Sequence, residues 1–171
     1  ADEIREQLDD GFGVAWVTGV PVEGDRETAS LLYLAIGAAM GAVMETYGRL
    51  YDVVDRGDSY KENAIPVSQT RESTGMHTDS SRLDNVPDYV GLLCQRPARH
   101  GGGSRISSAA QAHESLRRLD GASLECLYRD YVRDVVTPGA DRDPEKILEN
   151  RFPIFQNQDG LTLRYMRYWI E

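Results

Sequence analysis

The sequence predicts an α+β fold, a β-sandwich or jelly roll with helices attached to it. Three observations point there. Residues 27–46 and 109–134 read as helices, the first with an apolar face at helical spacing. Short runs of β-formers lie between and after them, bounded by glycines or turn residues. Residues 151–171, "RFPIFQNQDGLTLRYMRYWIE", read as a hairpin turned at Asp159-Gly160.

Residues 2–9 read as a short polar helix, and "GVAWVTGVPV" (13–22) as a strand between glycines. Asp25 is placed to cap the helix that follows. Leu32, Ile36, Ala39 and Val43 give that helix one buried face. "YDVVD" (51–55) reads as a short strand. Residues 56–75 are polar, irregular and long, as functional lids or disordered segments are. "DYVGLLCQ" (88–95) is a near-continuous apolar run and reads as a buried strand, with "SRISS" (104–108) as the next. Helices are expected over 109–119 and 121–134. Asp143 and Pro144 form a cap and first-turn pair for a helix over 143–150.

A chain of 171 residues is long enough for one domain with a core, and 40% apolar with 27% charged residues is ordinary for a globular protein. The formal net charge of -9 argues against nucleic acid and anionic membrane as partners, because both need clustered Lys and Arg. Cys94 and Cys126 form no CxxC pair, which leaves no zinc-ribbon or thioredoxin reading. Cys94, inside an apolar run, reads as a small buried side chain. Two unpaired thiols fit a reducing compartment, so a cytoplasmic location is the expectation. The longest apolar stretch, 31–44, is too short to cross a bilayer.

The chemistry concentrates in "TGMHTDSS" (74–81). On an extended strand, His77 and Asp79 point to the same face. They would offer one nitrogen and one oxygen to a single metal. Completed by a second His, such a pair makes the facial triad that holds Fe(II) and leaves open positions. Two polar residues at a strand end are the alternative, and the spacing alone does not separate the two.

Residues 76–116, "MHTDSSRLDNVPDYVGLLCQRPARHGGGSRISSAAQAHESL", resemble the TauD/TfdA group of Fe(II)- and 2-oxoglutarate-dependent dioxygenases. In that group a His-x-Asp or His-x-Glu precedes a "pDyv-L-C" strand, a "GG-S/T" turn and a small-residue helix. Here these are His77-Thr78-Asp79, Pro87 through Cys94, and Gly102-Gly103-Ser104, with Ser104 following Asp79 by 25 residues. "GFGVAWVTGVPV" and "YGRLYDVVDRG" resemble the family's earlier strands. "NRFPIFQNQDGLTLRYMRYWIE" is similar to a segment of the clavaminate-synthase-like branch.

The resemblance implies a double-stranded β-helix, the jelly roll, with flanking helices. It implies one domain over 1–171 that forms the front portion of such an enzyme and ends short of a complete roll. His77 and Asp79 would be the catalytic iron ligands. Ser104 would be the hydroxyl that contacts 2-oxoglutarate, a task that suits a donor beside a turn rich in backbone N–H groups; a plain strand-start serine is the alternative. Thr70, Ser73 and Thr74 precede the ligand strand, as substrate-pocket residues or as solvated loop. Arg164 and Arg167 sit at alternate-face spacing, so only one can face a pocket. Arg167 is the substrate-side candidate, with a surface charge as its alternative.

The function so implied is oxidation, by hydroxylation, of an unactivated C–H bond in a small molecule, with Fe(II), 2-oxoglutarate and O2 as cofactor and co-substrates. The departure from the pattern lies late in the chain. Only 92 residues follow Asp79, and the remaining histidines, His100 and His113, do not match the third-ligand position. A missing segment or a second polypeptide is expected to supply that ligand, and a homo-oligomer is compatible. Two rival readings follow. One is a non-catalytic jelly-roll binding or partner subunit that lacks the third ligand. The other is a metal-dependent lyase or isomerase that needs no 2-oxoglutarate.

Overall fold

Asp25 opens the longest helix, α2 (Arg26–Met40), by accepting hydrogen bonds from the amides of Glu27 and Thr28. A carboxylate there satisfies two of the four N–H groups that every helix start leaves unpaired. A computed structural model describes residues 1–59, 65–81, 83, 85–133, 143–167 and 170. The chain divides into two units, residues 1–51 with 89–104, and residues 52–88 with 105–171.

The first unit holds α1 (Asp2–Asp9) and α2. The Arg5 guanidinium donates to the Ala39 and Met40 carbonyls, each at 3.1 Å, and so closes the end of α2. A cation is well placed there, where unpaired carbonyls gather. Ile4, Val20, Leu32, Ile36 and Ala39 line an open apolar cleft of about 380 Å3. The helix expected over 27–46 stops at Met40, where Gly41 takes the cap. Gly91 is held close to Tyr33: a Cβ there would meet the phenol oxygen at 2.6 Å.

The strands expected over 13–22, 51–55, 88–95 and 104–108 do not form. A strand exists only as one member of a ladder, and these runs join no ladder among the described residues. They have no regular structure and leave large apolar side chains exposed, Trp16 at 89% and Leu92 at 78%. Cys94 is exposed as well, contrary to the buried reading.

The second unit carries the small sheets. Ser108 caps α3 (Ala109–Leu119) by accepting from the Gln111 amide at 3.1 Å. Asp120 ends α3 and caps α4 (Gly121–Leu127) through the Ser123 amide. The helix expected over 121–134 therefore breaks at Leu127. Residues Asp130–Val132 leave it as β1, which pairs antiparallel with β2 (Arg151–Pro153). Asp143 and Pro144 start α5 (Pro144–Glu149) as the sequence indicates. Beyond β2, β3 (Phe155–Asn157) and β4 (Leu161–Leu163) form an antiparallel hairpin. Gly160 turns it at φ 109, a conformation that favours glycine.

The fold is α+β, with two small antiparallel sheets among the described residues. Leu124, Ile154 and Phe155 form the core, ringed by Leu116, Leu127, Tyr131, Leu163, Tyr165 and Ile170. Ile154, between β2 and β3, donates to the Leu127 carbonyl and accepts from the Arg164 amide, so it joins α4 to the chain after β4. Residues 60–64 of the 56–75 stretch, Asp134 of the expected helix, and Trp169 lie outside the described residues. The described ends of 56–75 are stitched to each other. The Arg56 amide donates to the Gln69 carbonyl, Ser59 donates to Glu72, and Arg71 pairs with Asp55. No helix among the described residues is long and apolar enough to cross a membrane.

Candidate metal centre

His77 and Asp79 belong to the second unit, on an irregular stretch that follows the stitched loop. Before them, the Thr70 hydroxyl donates to the Val67 carbonyl and accepts from the Glu72 amide, which makes a local turn. Ser73 and Thr74 are exposed. The chain then brings His77 Nδ1 to 2.9 Å from the Gly75 carbonyl. A carbonyl only accepts, so the proton sits on Nδ1 and the lone pair of the neutral ring is on Nε2. Ligating histidines are commonly held in one tautomer by this arrangement.

Nε2 lies 3.4 Å from Asp79 Oδ1. The imidazole side chain is 26% exposed and the carboxylate 52%, so an ion or a small ligand can reach both. The Asp79 carboxylate raises the His77 pKa above its ordinary value; partial burial opposes the shift and the Gly75 carbonyl adds to it. When the ring is charged, its proton lies between the two donors. When it is neutral, two donor atoms of one site remain, at a spacing that bonds of roughly 2 Å to a single ion can span. The chemistry of the pair therefore fits a divalent cation. Among the described residues no group of three His, Cys, Asp or Glu side chains converges as a metal site.

The other histidines are placed elsewhere. His113 presents Nε2 to the Tyr128 hydroxyl at 2.7 Å and packs edge-on against Phe155, with ring centroids 5.1 Å apart. That is a packing role beside the core. His100 is exposed in the glycine turn of the first unit. Ser104 closes the first unit and is exposed. Arg167 is exposed and donates to the Ile170 carbonyl at 3.4 Å.

Four further residues link the stretch that carries the pair to the core. The Thr78 amide donates to the Tyr165 carbonyl at 2.7 Å, and the Tyr165 amide donates back to the Thr78 hydroxyl at 2.9 Å. Arg164 donates to the Leu83 carbonyl at 2.9 Å, and its guanidinium lies 4.8 Å from the centre of the Phe152 ring. Arg133, fully buried, donates to the Pro153 and Arg164 carbonyls. The sequence marks two of the four, Thr78 between the candidate ligands and Arg164 at alternate-face spacing with Arg167, and neither mark points to these contacts.

Comparison with known proteins gives a consistent result. The family model described as "Taurine catabolism dioxygenase TauD, TfdA family" matches residues 1–169. The FR-33289 synthase of Streptomyces rubellomurinus is 33% identical over 116 residues, which cover 65% of this chain and 32% of that protein. Dioxygenase str8 of Strobilurus tenacellus is 31% identical over 117 residues, covering 68% of this chain and 26% of its own. The matched part of the chain thus spans about a third or less of either relative's length. No solved structure matches the chain significantly.

Proposed function

This chain belongs to the TauD/TfdA family of dioxygenases, and from that premise we propose that it is an Fe(II)- and 2-oxoglutarate-dependent oxygenase acting on a small molecule. Its reaction is oxidation, by hydroxylation, of an unactivated C–H bond, on a domain of the double-stranded β-helix type. The observation that carries this reading is the anchored imidazole. His77 Nδ1 is engaged by the Gly75 carbonyl, which leaves Nε2 beside Asp79 Oδ1 at 3.4 Å.

His77 and Asp79 are proposed as two of the iron ligands. The Gly75 carbonyl holds the proton at Nδ1, so that Nε2 is free to ligate. Fe(II), when bound, supplies the electron chemistry that couples decarboxylation of 2-oxoglutarate to substrate oxidation by O2. Ser104 is proposed to donate to a 2-oxoglutarate carboxylate, and Ser73, Thr74 and Arg167 to face the substrate. A cytoplasmic setting belongs to the same reading.

The test is spectroscopic. Fe(II) and 2-oxoglutarate are added without oxygen, and the visible charge-transfer band of the chelate is recorded. The expected result is a band in the wild-type protein and none in His77→Ala. Persistence of the band in His77→Ala removes that residue from the site.

One observation favours a second reading, a non-catalytic binding subunit of the same fold. No third His, Cys, Asp or Glu joins the pair among the described residues. Its signature is a wild-type protein that gives no charge-transfer band.

A further inference from the structure

The stretch carrying His77 and Asp79 is fastened to one other part of the chain at two points. At the first, Thr78 and Tyr165 exchange hydrogen bonds of 2.7 and 2.9 Å. At the second, Arg164 donates to the Leu83 carbonyl at 2.9 Å. Between them the chain passes through Ser80 at φ 52 and closes a turn, with the Leu83 amide on the Ser80 carbonyl at 2.9 Å. A non-glycine residue in the left-handed region persists where its surroundings impose it, and such residues cluster at ligand sites.

The receiving part is itself fixed. The Arg164 amide donates to the Ile154 carbonyl, and the Arg164 carbonyl accepts from buried Arg133. Tyr165 packs against the Leu124, Ile154 and Phe155 core. A rigid path therefore runs from the core to the residue between the two candidate ligands.

We propose that Thr78 is a positioning residue for the His77–Asp79 pair, setting the separation of their donor atoms through its reciprocal hydrogen bonds with Tyr165. The proposal rests on the metal reading of that pair. Thr78 is bonded covalently to both residues, so a displacement of Thr78 moves both donors. Its β-branched side chain is stiff at χ1, which holds the hydroxyl where the Tyr165 amide finds it. Valine has the same shape and no acceptor; serine has the acceptor and less stiffness.

Anaerobic titration with Co(II), followed by its visible d–d absorption, tests this in wild-type protein, Thr78→Val, Thr78→Ser and His77→Ala. Thermal melts of the same proteins run alongside. The expected result is Co(II) binding by the wild type, its loss in His77→Ala, and affinity weakened roughly 10–100-fold in Thr78→Val, as for other partners that orient ligands. The saturated Thr78→Val spectrum should differ from wild type, and Thr78→Ser should recover most of the affinity. Wild-type affinity and spectrum in Thr78→Val overturn the positioning role and leave the metal reading standing. Thr78→Ser as weak as Thr78→Val overturns it too, because the hydroxyl is then not the agent. A wild type that does not bind Co(II), or His77→Ala that binds like wild type, overturns the metal reading and the proposal with it. Should Thr78→Val fail to fold, amide exchange of the Tyr165 peptide in wild-type protein decides: Zn(II) should slow it, and unchanged exchange overturns the coupling.

Discussion

Arg133 and Arg164 meet through the backbone. The Nη2 of fully buried Arg133 donates to the Arg164 carbonyl at 2.6 Å and to the Pro153 carbonyl at 3.3 Å, tying β1 to the chain on both sides of the β3–β4 hairpin. Burial, with the Arg164 guanidinium nearby, lowers the pKa of Arg133 from its ordinary value. Its Nε and Nη1 find no partner among the described residues. A cation kept under these conditions is kept for its geometry. Arg133→Lys retains charge and burial cost, but its ammonium ends a shorter, unforked stem and does not reach the place from which Nη2 serves both carbonyls. The expected loss is about 1–3 kcal/mol in chemical denaturation. Wild-type stability in Arg133→Lys contradicts the role.

Phe155 is 2% exposed and joins Leu124 and Ile154 in the core. Phe155→Ala should cost roughly 3–5 kcal/mol, a large share of a small domain's stability. Near-UV circular dichroism reads the outcome: collapse of the aromatic signal in the variant is expected. An unshifted unfolding midpoint argues that the core lies elsewhere.

His113 presents Nε2 to the Tyr128 hydroxyl and packs its ring on Phe155. His113→Gln should therefore keep the Co(II) affinity of the wild type, while His77→Ala loses it. Equilibrium dialysis distinguishes the two. Loss of binding in a folded His113→Gln protein means that the third ligand has been misidentified as packing.

The Asp25 carboxyl is held below the ordinary carboxylate range, chiefly by the Thr28 amide, then by the Thr28 hydroxyl and the Glu27 amide. A depressed value in the folded state contributes stability above the unfolded value, and that contribution is lost as pH falls through the folded one. Helical circular dichroism should weaken as pH drops below about 4. Asp25→Asn keeps a capping side chain without a titrating group, so that part of the dependence should vanish. An unchanged acid profile in Asp25→Asn assigns it to other groups.

Helix starts were legible because they are local. Asp25, Asp143 and the Asp159-Gly160 turn act within four residues of themselves, and each does what its type suggests. Ladders were not legible, because pairing is a property of two distant segments. "DYVGLLCQ" has the composition of a strand and no strand beside it among the described residues. Conversely, "DYV" at 130–132 falls within the range expected as helix and forms β1 because Arg151–Pro153 offers it a partner. The candidate site divides in the same way. His77 and Asp79 are neighbours in sequence, so their closeness is local, and the metal role given to them rests on the resemblance rather than on the spacing. The closeness of Thr78 and Tyr165, 87 residues apart, is not local.

We propose that His77 and Asp79 hold the iron of a 2-oxoglutarate oxygenase. Succinate formation from 2-oxoglutarate, with Fe(II) and O2 and no added substrate, tests it most directly, since the substrate need not be known. The expected result is succinate from the wild-type protein and background levels from both His77→Ala and Asp79→Ala. No succinate from the wild type, or undiminished succinate from either variant, contradicts the claim.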